Sequence, residues 1–308
     1  MVTVQSISKY DKSQASVITI GTFDGVHIGH KLILERLIND ARLNDRVASV
    51  LTFFPHPRMV LQKDSDLKLL NTIEEKKKIL EELGIDYLII QPFTKTFSRL
   101  SATAFVRDML VNALHAKKVI IGYDHRFGRN RNANINDLIA FGNALDFEVE
   151  EIPAQEIEAV AVSSTKIRNA LLEGDVVTAN SYLGYNYMLT GKIIKGKGLG
   201  RQLGFPTANL NIKETYKLIP RNGAYVIESN IKGQRVYGMM NIGFNPTVDG
   251  QDQSIEIHFL DFKEDLYNKT IQVSILQWIR EEQKFDTLDE LKEQLKRDQE
   301  TTRRIISA

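Results

Sequence analysis

The amino-acid sequence predicts an α/β doubly wound parallel sheet followed by a small antiparallel β-barrel domain with a C-terminal helix. Three features carry that reading. Short β-branched runs alternate with helical stretches as far as about residue 185, the rhythm of parallel βαβ units. Beyond Tyr185 the apolar period switches from helical to alternating, with Gly, Asn, Asp or Pro between the runs, as in a small barrel. At 308 residues the chain also exceeds the roughly 100–200 residues of a single domain, so two domains are expected, 1–185 and 186–308.

In the first domain, strands are expected at Val17–Gly21, Val47–Phe53, Ile85–Ile90, Val119–Gly122 and Phe147–Ile152. Between them, helices are expected at His30–Leu43, Glu74–Leu83, Ala102–Leu114 and Asn136–Leu145. The first helix carries Ile33, Leu37 and Ala41 at four-residue spacing, the stripe with which a helix covers a sheet. Two short helices, near Thr165–Leu172 and Asp175–Leu183, close this domain. The barrel follows as five or six strands at Met188–Lys195, Ala224–Ile231, Arg235–Ile242, Ser254–Leu260 and Thr270–Trp278, and a charged helix, Leu288–Ile306, ends the chain. No internal repeat or low-complexity stretch suggests a solenoid or a flexible tail.

Composition narrows the function classes. Hydrophobic residues make up 43% of the chain and charged residues 26%, which suits a globular protein with a real core. The net charge of +1 is spread over interleaved signs, so a nucleic-acid partner is disfavoured. With no cysteine there is neither a disulfide framework nor a thiolate nucleophile. Met1–Ser16 lacks the apolar core of a signal peptide, and no apolar run approaches the ~18 residues of a spanning helix. A cytoplasmic protein with no membrane partner is expected.

The segment Gly21-Thr22-Phe23-Asp24-Gly25-Val26-His27-Ile28-Gly29-His30 starts where a strand ends and finishes where a helix begins. In open α/β sheets ligands gather outside the carboxyl ends of strands, and a helix amino terminus offers unpaired N–H groups and partial positive charge to phosphate. Gly21, Gly25 and Gly29 allow close backbone approach, and His27 and His30 can donate hydrogen bonds as charge builds on phosphate oxygens. The pair also admits two plainer readings, a surface pair or two ligands of an adventitious metal, with Asp24 the sole nearby carboxylate. Neither a Walker-type phosphate loop nor a Gly-x-Gly-x-x-Gly turn follows the first strand.

Two further loops follow expected strands and should converge on the same rim: Phe54-Pro55-His56-Pro57-Arg58 and Gly122–Arg131. Ser163-Ser164-Thr165-Lys166-Ile167-Arg168 opens a helix and offers hydroxyls, N–H groups and two cations to a polyphosphate, although Ser or Thr at such a place is often only a cap.

In the barrel, Gly196-Lys197-Gly198-Leu199-Gly200-Arg201-Gln202-Leu203-Gly204 is dense enough in glycine to fold around phosphate as a lid, or to be an ordinary hairpin loop. Phe205-Pro206-Thr207-Ala208-Asn209 follows, and the hydroxyl of Thr207 and carbonyl of Asn209 are hard oxygen donors suited to Mg²⁺. Glu256, in the alternating run Ser254–Phe259, is a candidate general base if it points into a pocket between apolar neighbours, and a solvent-facing strand residue otherwise.

The His-x-Gly-His after the first strand, with Ser-Ser-Thr-x-Ile-Arg, resembles the HIGH-type, Rossmann-like nucleotidyltransferases. Together with Phe-Pro-His-Pro and Gly-x-Asp-x-x-Phe-Gly, it resembles the adenylyltransferase module of bacterial bifunctional riboflavin kinase/FMN adenylyltransferases, the FAD synthetases. Leu-Gly-Phe-Pro-Thr-Ala-Asn, the stretch Asn241–Thr247 and the later Glu256 resemble the riboflavin kinase module of the same family. The resemblance implies phosphorylation of riboflavin to FMN and adenylylation of FMN to FAD, with ATP as co-substrate, Mg²⁺, no tightly bound cofactor, and a monomer or weak oligomer.

Residue by residue, it implies catalytic roles for Glu256, His27 and His30. ATP in the adenylyltransferase falls to Gly21, Phe23, Asp24, Gly29, His30, Ser163, Ser164, Thr165, Lys166 and Arg168, and flavin to Phe54, Pro55, His56, Pro57, Asp124, Phe127 and Arg131. ATP in the kinase falls to Gly196, Lys197, Gly198, Gly200, Leu203, Gly204, Phe205, Pro206, Thr207 and Asn209, with Thr207 and Asn209 holding Mg²⁺. Lys195, His125 and Ala133 depart from residues common in the family. The competing readings are a related adenylyl- or cytidylyltransferase with an unrelated barrel, and a flavin-binding regulator without turnover.

Overall fold

The computed structural model describes residues 1–11, 14–63, 65–154, 162–196, 199–247 and 250–307. The chain divides into two compact units, Met1–Ser164 and Thr165–Ala308.

The first unit contains β1 (Val2–Val4), β2 (Ser16–Ile20), α1 (Ile28–Leu43), β3 (Val47–Phe54), α2 (Pro57–Leu61), α3 (Ile73–Leu83) and β4 (Tyr87–Pro92). The short α4 (Ala102–Ala104), β5 (Ala116–Gly122), α5 (Ile135–Leu145) and β6 (Glu148–Ile152) complete it. Its six strands are parallel in the order β1-β4-β3-β2-β5-β6. Central β2, Ser-Val-Ile-Thr-Ile, is buried at every position, as expected of a parallel strand covered on both faces. From β2 the chain proceeds to β3 and β4 on one side, then returns to β5 and β6 on the other. The carboxyl ends of β2 and β5 therefore flank a topological switch point, where open α/β sheets collect ligands. Ile18, Leu51, Ile89 and Ile121, all buried in the core beneath that rim, contribute roughly 1.5–3 kcal/mol each and give it a rigid base.

Several details differ from the sequence expectation. The α1 helix starts two residues early and buries Leu34, Leu37 and Ala41, while Ile33 is half-buried. The expected Ala102–Leu114 helix is α4 running into a π-helical stretch, Phe105–Val111, with Asn112 N–H reaching Arg107 O at 3.0 Å. That wider turn sends Phe105, Val106, Leu110 and Leu114 into the core together. The edge strand β1 was not expected; it is three residues long and pairs with β4 alone.

The second unit holds all but the first residue of α6 (Ser164–Glu173), then α7 (Val176–Leu183), β7 (Met188–Ile194), the one-turn α8 (Leu199–Gln202), β8 (Ala208–Asn211), β9 (Gly223–Ile231) and β10 (Gln234–Thr247). It ends with β11 (Gly250–Phe259), β12 (Thr270–Arg280) and α9 (Leu288–Ile306). The strands close antiparallel in the order β10-β11-β8-β7-β12-β9. The sixth strand, β8, was not placed from the sequence, being short and lying inside a loop motif, yet it closes the barrel between β7 and β11. The helices α6 and α7 bond to barrel residues: Arg221 N–H donates to Leu171 O at 3.0 Å, and Asn180 Nδ2 to Ile275 O at 2.9 Å.

Candidate active sites

In the sheet unit, the loops after β3, β2 and β5 leave neighbouring strands, so the three expected segments do share one rim. The loop after β2 is conformationally costly: Phe23 and Val26, neither of them glycine, have φ 45° and 37°. Four fastenings hold it. Lys76 Nζ donates to Thr22 O at 2.7 Å and Thr52 Oγ1 donates to the same carbonyl at 3.2 Å. Leu70 N–H donates to Asp24 Oδ1 at 2.8 Å, and Ser164 Oγ donates to Asp24 O at 2.9 Å. Asp24 is thus a buried loop fastener, and the Ser164 hydroxyl proton is spent on the loop. A Cβ on Gly21 would meet the Phe23 ring at 3.0 Å, so glycine lets that ring turn inward.

His27 is the N-cap of α1, and its Nδ1 accepts the His30 N–H at 3.3 Å. That acceptance places the imidazole proton of His27 on Nε2. The two rings stack with centroids 3.6 Å apart and 16° between planes, and Phe23 meets His30 edge-on at 5.2 Å. Gly29 is where the stack needs room: a Cβ there would lie 3.3 Å from His27 Nδ1. Burial, then the neighbouring His27 and Lys76, hold His30 well below the usual histidine range, so it is a neutral imidazole near pH 7. Its Nδ1 is buried with no partner among the described residues. Among those residues no group of three or more His, Asp or Glu could hold a metal, so the adventitious-metal reading of the pair finds no third ligand.

Around the rim, Phe54 ends β3, Pro55 follows through a cis peptide, and Pro57 is the first residue of α2. His56 caps α2, its Nδ1 accepting Arg58 N–H at 3.1 Å. After β5, Asp124 is exposed while Phe127 is buried, bonded in both directions to Ala133 and 5.8 Å from the Phe105 ring. Arg131 sits at φ 57° on a 3-10 turn with its side chain exposed. Burial pushes His125, stacked on Phe127, down to about 4. Ser163 is half-buried. Thr165 and Lys166 lie exposed on the first turn of α6, with Arg168 one residue beyond Ile167 and bonded to Thr165 Oγ1 at 3.4 Å; these three belong to the second unit.

Sequence reasoning missed Lys76 and Thr52. Lys76 stands in a run of three lysines that reads as a solvated face, but Ile79 and Leu80, three and four residues on, mark its side of α3 as the inner one. It also missed an aromatic trio at the ends of β3 and β4, where Phe53, Phe93 and Phe97 lie 5.5–5.7 Å apart.

In the barrel, Glu256 pairs across the sheet with Asn209 on β8 and Asn241 on β10, and its Oε2 accepts the Thr207 hydroxyl at 3.3 Å. Ile255, Ile257 and Phe259 are buried on the opposite face of β11, so Glu256 does not lie among those apolar neighbours but on a polar row with the two asparagines. This row brings Thr207, Asn209 and Glu256 together, and their oxygens form a hard donor set that fits Mg²⁺. Gly196 approaches so closely that a Cβ would strike the Asn209 amide. Gly200 O accepts Leu203 N–H at 3.1 Å and Phe205 N–H at 2.8 Å, and a Cβ at Gly200 would strike Phe205 O. Gly204 turns at φ 84°, Phe205 is buried edge-on to His258, and Pro206 O bonds His258 Nδ1 at 2.9 Å. Lys197 and Gly198 lie outside the described residues.

Comparison with known proteins bears on both units. The FAD synthetase family model matches residues 9–166 and the riboflavin kinase model residues 183–306. A bifunctional riboflavin kinase/FMN adenylyltransferase of Listeria monocytogenes is 38% identical over 293 residues, 94% of this chain and 92% of that protein. One of Escherichia coli K12 is 37% identical over 294 residues, 95% and 93% respectively. A crystal structure described as a macrolide-efflux protein from Streptococcus pneumoniae superposes with a TM-score of 0.88 at 32% identity, covering 98% of both chains. With both halves matched in order and relatives alike over nearly the whole length, the chain belongs to the bifunctional riboflavin kinase/FMN adenylyltransferase family.

Proposed function

We propose that the family's two reactions run at two separate sites of this chain. The barrel transfers the terminal phosphoryl group of ATP to riboflavin, giving FMN; the sheet unit transfers AMP from a second ATP to FMN, giving FAD and pyrophosphate. The observation that carries the first assignment is the meeting of Thr207, Asn209 and Glu256 on one polar row.

In the kinase, Glu256 takes the proton of the attacking ribityl hydroxyl, while Thr207 and Asn209 would hold Mg²⁺. When bound, Mg²⁺ neutralises the ATP phosphates. The glycine-rich segment Gly196–Gly204, with Lys197 and Gly198, closes over the nucleotide. In the adenylyltransferase, His27 and His30 act as neutral N–H donors to the phosphates as charge develops, at the amino terminus of α1. Gly21 and Gly29 keep that approach open, and Lys166 and Arg168 neutralise charge. The loops bearing Phe54–Pro57 and Asp124–Arg131 receive the flavin. Both steps are attacks of oxygen on phosphorus governed by positioning, so no covalent enzyme adduct forms. The protein works in the cytoplasm as a monomer or weak oligomer, without nucleic-acid or membrane partners.

Two family models and the named relatives favour flavin chemistry over the efflux role in the description of the solved relative. The test is a time course with riboflavin, ATP and Mg²⁺, separating the flavins by chromatography. FMN appearing first and FAD later supports both assignments; neither product would overturn the reading.

A further inference from the structure

We propose that Lys76 is a positioning residue of the adenylyl-transfer site, its buried ammonium pinning the Thr22 carbonyl and so setting the loop that presents His27 and His30. The inference rests on the assignment of adenylyl transfer to that histidine pair. Lys76 is 4% exposed, on the inner side of α3, and donates to Thr22 O at 2.7 Å. The carbonyl belongs to the residue just before Phe23, where the backbone enters the left-handed region, and Gly25 and Val26 hold two more positive φ values before α1 begins. A conformation of this kind persists only when its surroundings over-determine it. The Thr52 hydroxyl supplies the second donor to the same oxygen at 3.2 Å, and it is neutral.

The ammonium is an expensive anchor. Burial lowers its affinity for the proton to about 8, opposed only in part by Asp24, which sits in the same loop. The charged group facing it is Asp24, with the neutral His30 imidazole nearby, while Glu75, next to it on α3, accepts the Thr72 N–H at 2.9 Å. A lysine whose proton affinity falls on folding makes the folded state less stable at neutral pH than a neutral side chain of the same shape would. A purely structural anchor would have no need of that charge. Near the histidines, however, the cation adds to burial and to His27 in keeping His30 neutral, as an N–H donor, and supplies positive potential beneath the loop.

The test compares Lys76→Met with the parent chain, using FMN formation as an internal control and His30→Ala as a check on the assignment. The expected result is a fall in kcat for FAD formation of at least tenfold with KM for ATP within about threefold, unchanged FMN formation, and an equal or higher melting temperature. Over pH 7–9, kcat for FAD in the parent should decline as the ammonium is lost, and the variant should be flat. FAD formation within twofold of the parent, while His30→Ala is impaired, would overturn the proposal alone; loss of FAD together with a lowered melting temperature would also overturn it, as structural support only. An unimpaired His30→Ala would instead sink the underlying assignment. Should Lys76→Met not fold, Thr52→Val reads the same carbonyl: a several-fold loss of FAD formation is expected, and no loss counts against the anchor.

Discussion

The imidazoles of His27 and His30 lie face to face, 3.6 Å between centroids, with His27 Nδ1 accepting the His30 backbone N–H. A cap and a stack are thereby made by the same ring. Two imidazolium ions at that distance would repel, and His30 is held neutral by burial, by its partner and by Lys76. FAD formation should therefore show no acid limb from His30 at the usual histidine value near 6.5, and initial rates with saturating substrates should stay level from pH 7 down to pH 6. A loss of half the activity at pH 6.5, abolished in His30→Gln, would contradict the neutral-donor role.

The two activities should separate by mutation. His30→Ala should lower FAD formation from supplied FMN by roughly 10²–10³-fold, the usual cost of one transition-state donor, and spare FMN formation. Glu256→Gln should lower FMN formation by roughly 10²–10⁴-fold, as loss of a general base does, and spare FAD formation. Equal loss of both in either variant would argue against independent sites.

Gly196→Ala tests the close approach in the barrel. The added methyl would occupy the space of the Asn209 amide, beside the Thr207–Glu256 pair. Riboflavin phosphorylation should fall by about tenfold or more, with FAD formation from FMN retained, and product chromatography from each substrate separately reads the difference.

Acid stability should report His125. Its ring nitrogen Nε2 is buried with no partner among the described residues, and burial lowers it from 6.5 to about 4. Between those values the unfolded chain binds the proton and the folded one does not, so stability is complete above pH 6.5 and is lost as pH falls toward 4. His125→Phe should flatten that part of the melting temperature profile; an unchanged profile would refute the assignment.

The C-terminal helix is tied to the barrel by Arg280, whose guanidinium binds Asp298 at 2.8–3.1 Å with Asp298 3% exposed. Breaking a buried pair by removing one partner costs about 3–5 kcal/mol because the other charge is stranded. Asp298→Ala should lower the urea midpoint of the barrel accordingly, and Asp298→Ala with Arg280→Met should recover part of the loss.

Much of this was legible in the order of residues. Alternation of β-branched and helical runs marked the parallel sheet, since strands buried on both faces must be apolar throughout, as β2 is. The loop from Gly21 to His30 and the run Phe205–Asn209 could be picked out as candidate sites because glycine spacing and donor type are local properties. Local sequence could not say what each polar group bonds. Asp24 and Ser164 read as residues of a phosphate site, and their fastening of the loop was not legible, because their partners Leu70 and the Asp24 carbonyl lie 46 and 140 positions away. Lys76 escaped notice in a run of three lysines, because burial of one of the three depends on which face α3 turns inward. For Glu256 the sequence left open a pocket or a solvent-facing place on its strand, and closure of the barrel by β8 set it in a polar row beside Asn209. The sequence determined which groups the protein owns and the periods that fold them; only the tertiary structure decided which of those groups face one another, because pairing across strands and between elements depends on register and burial that no local window contains.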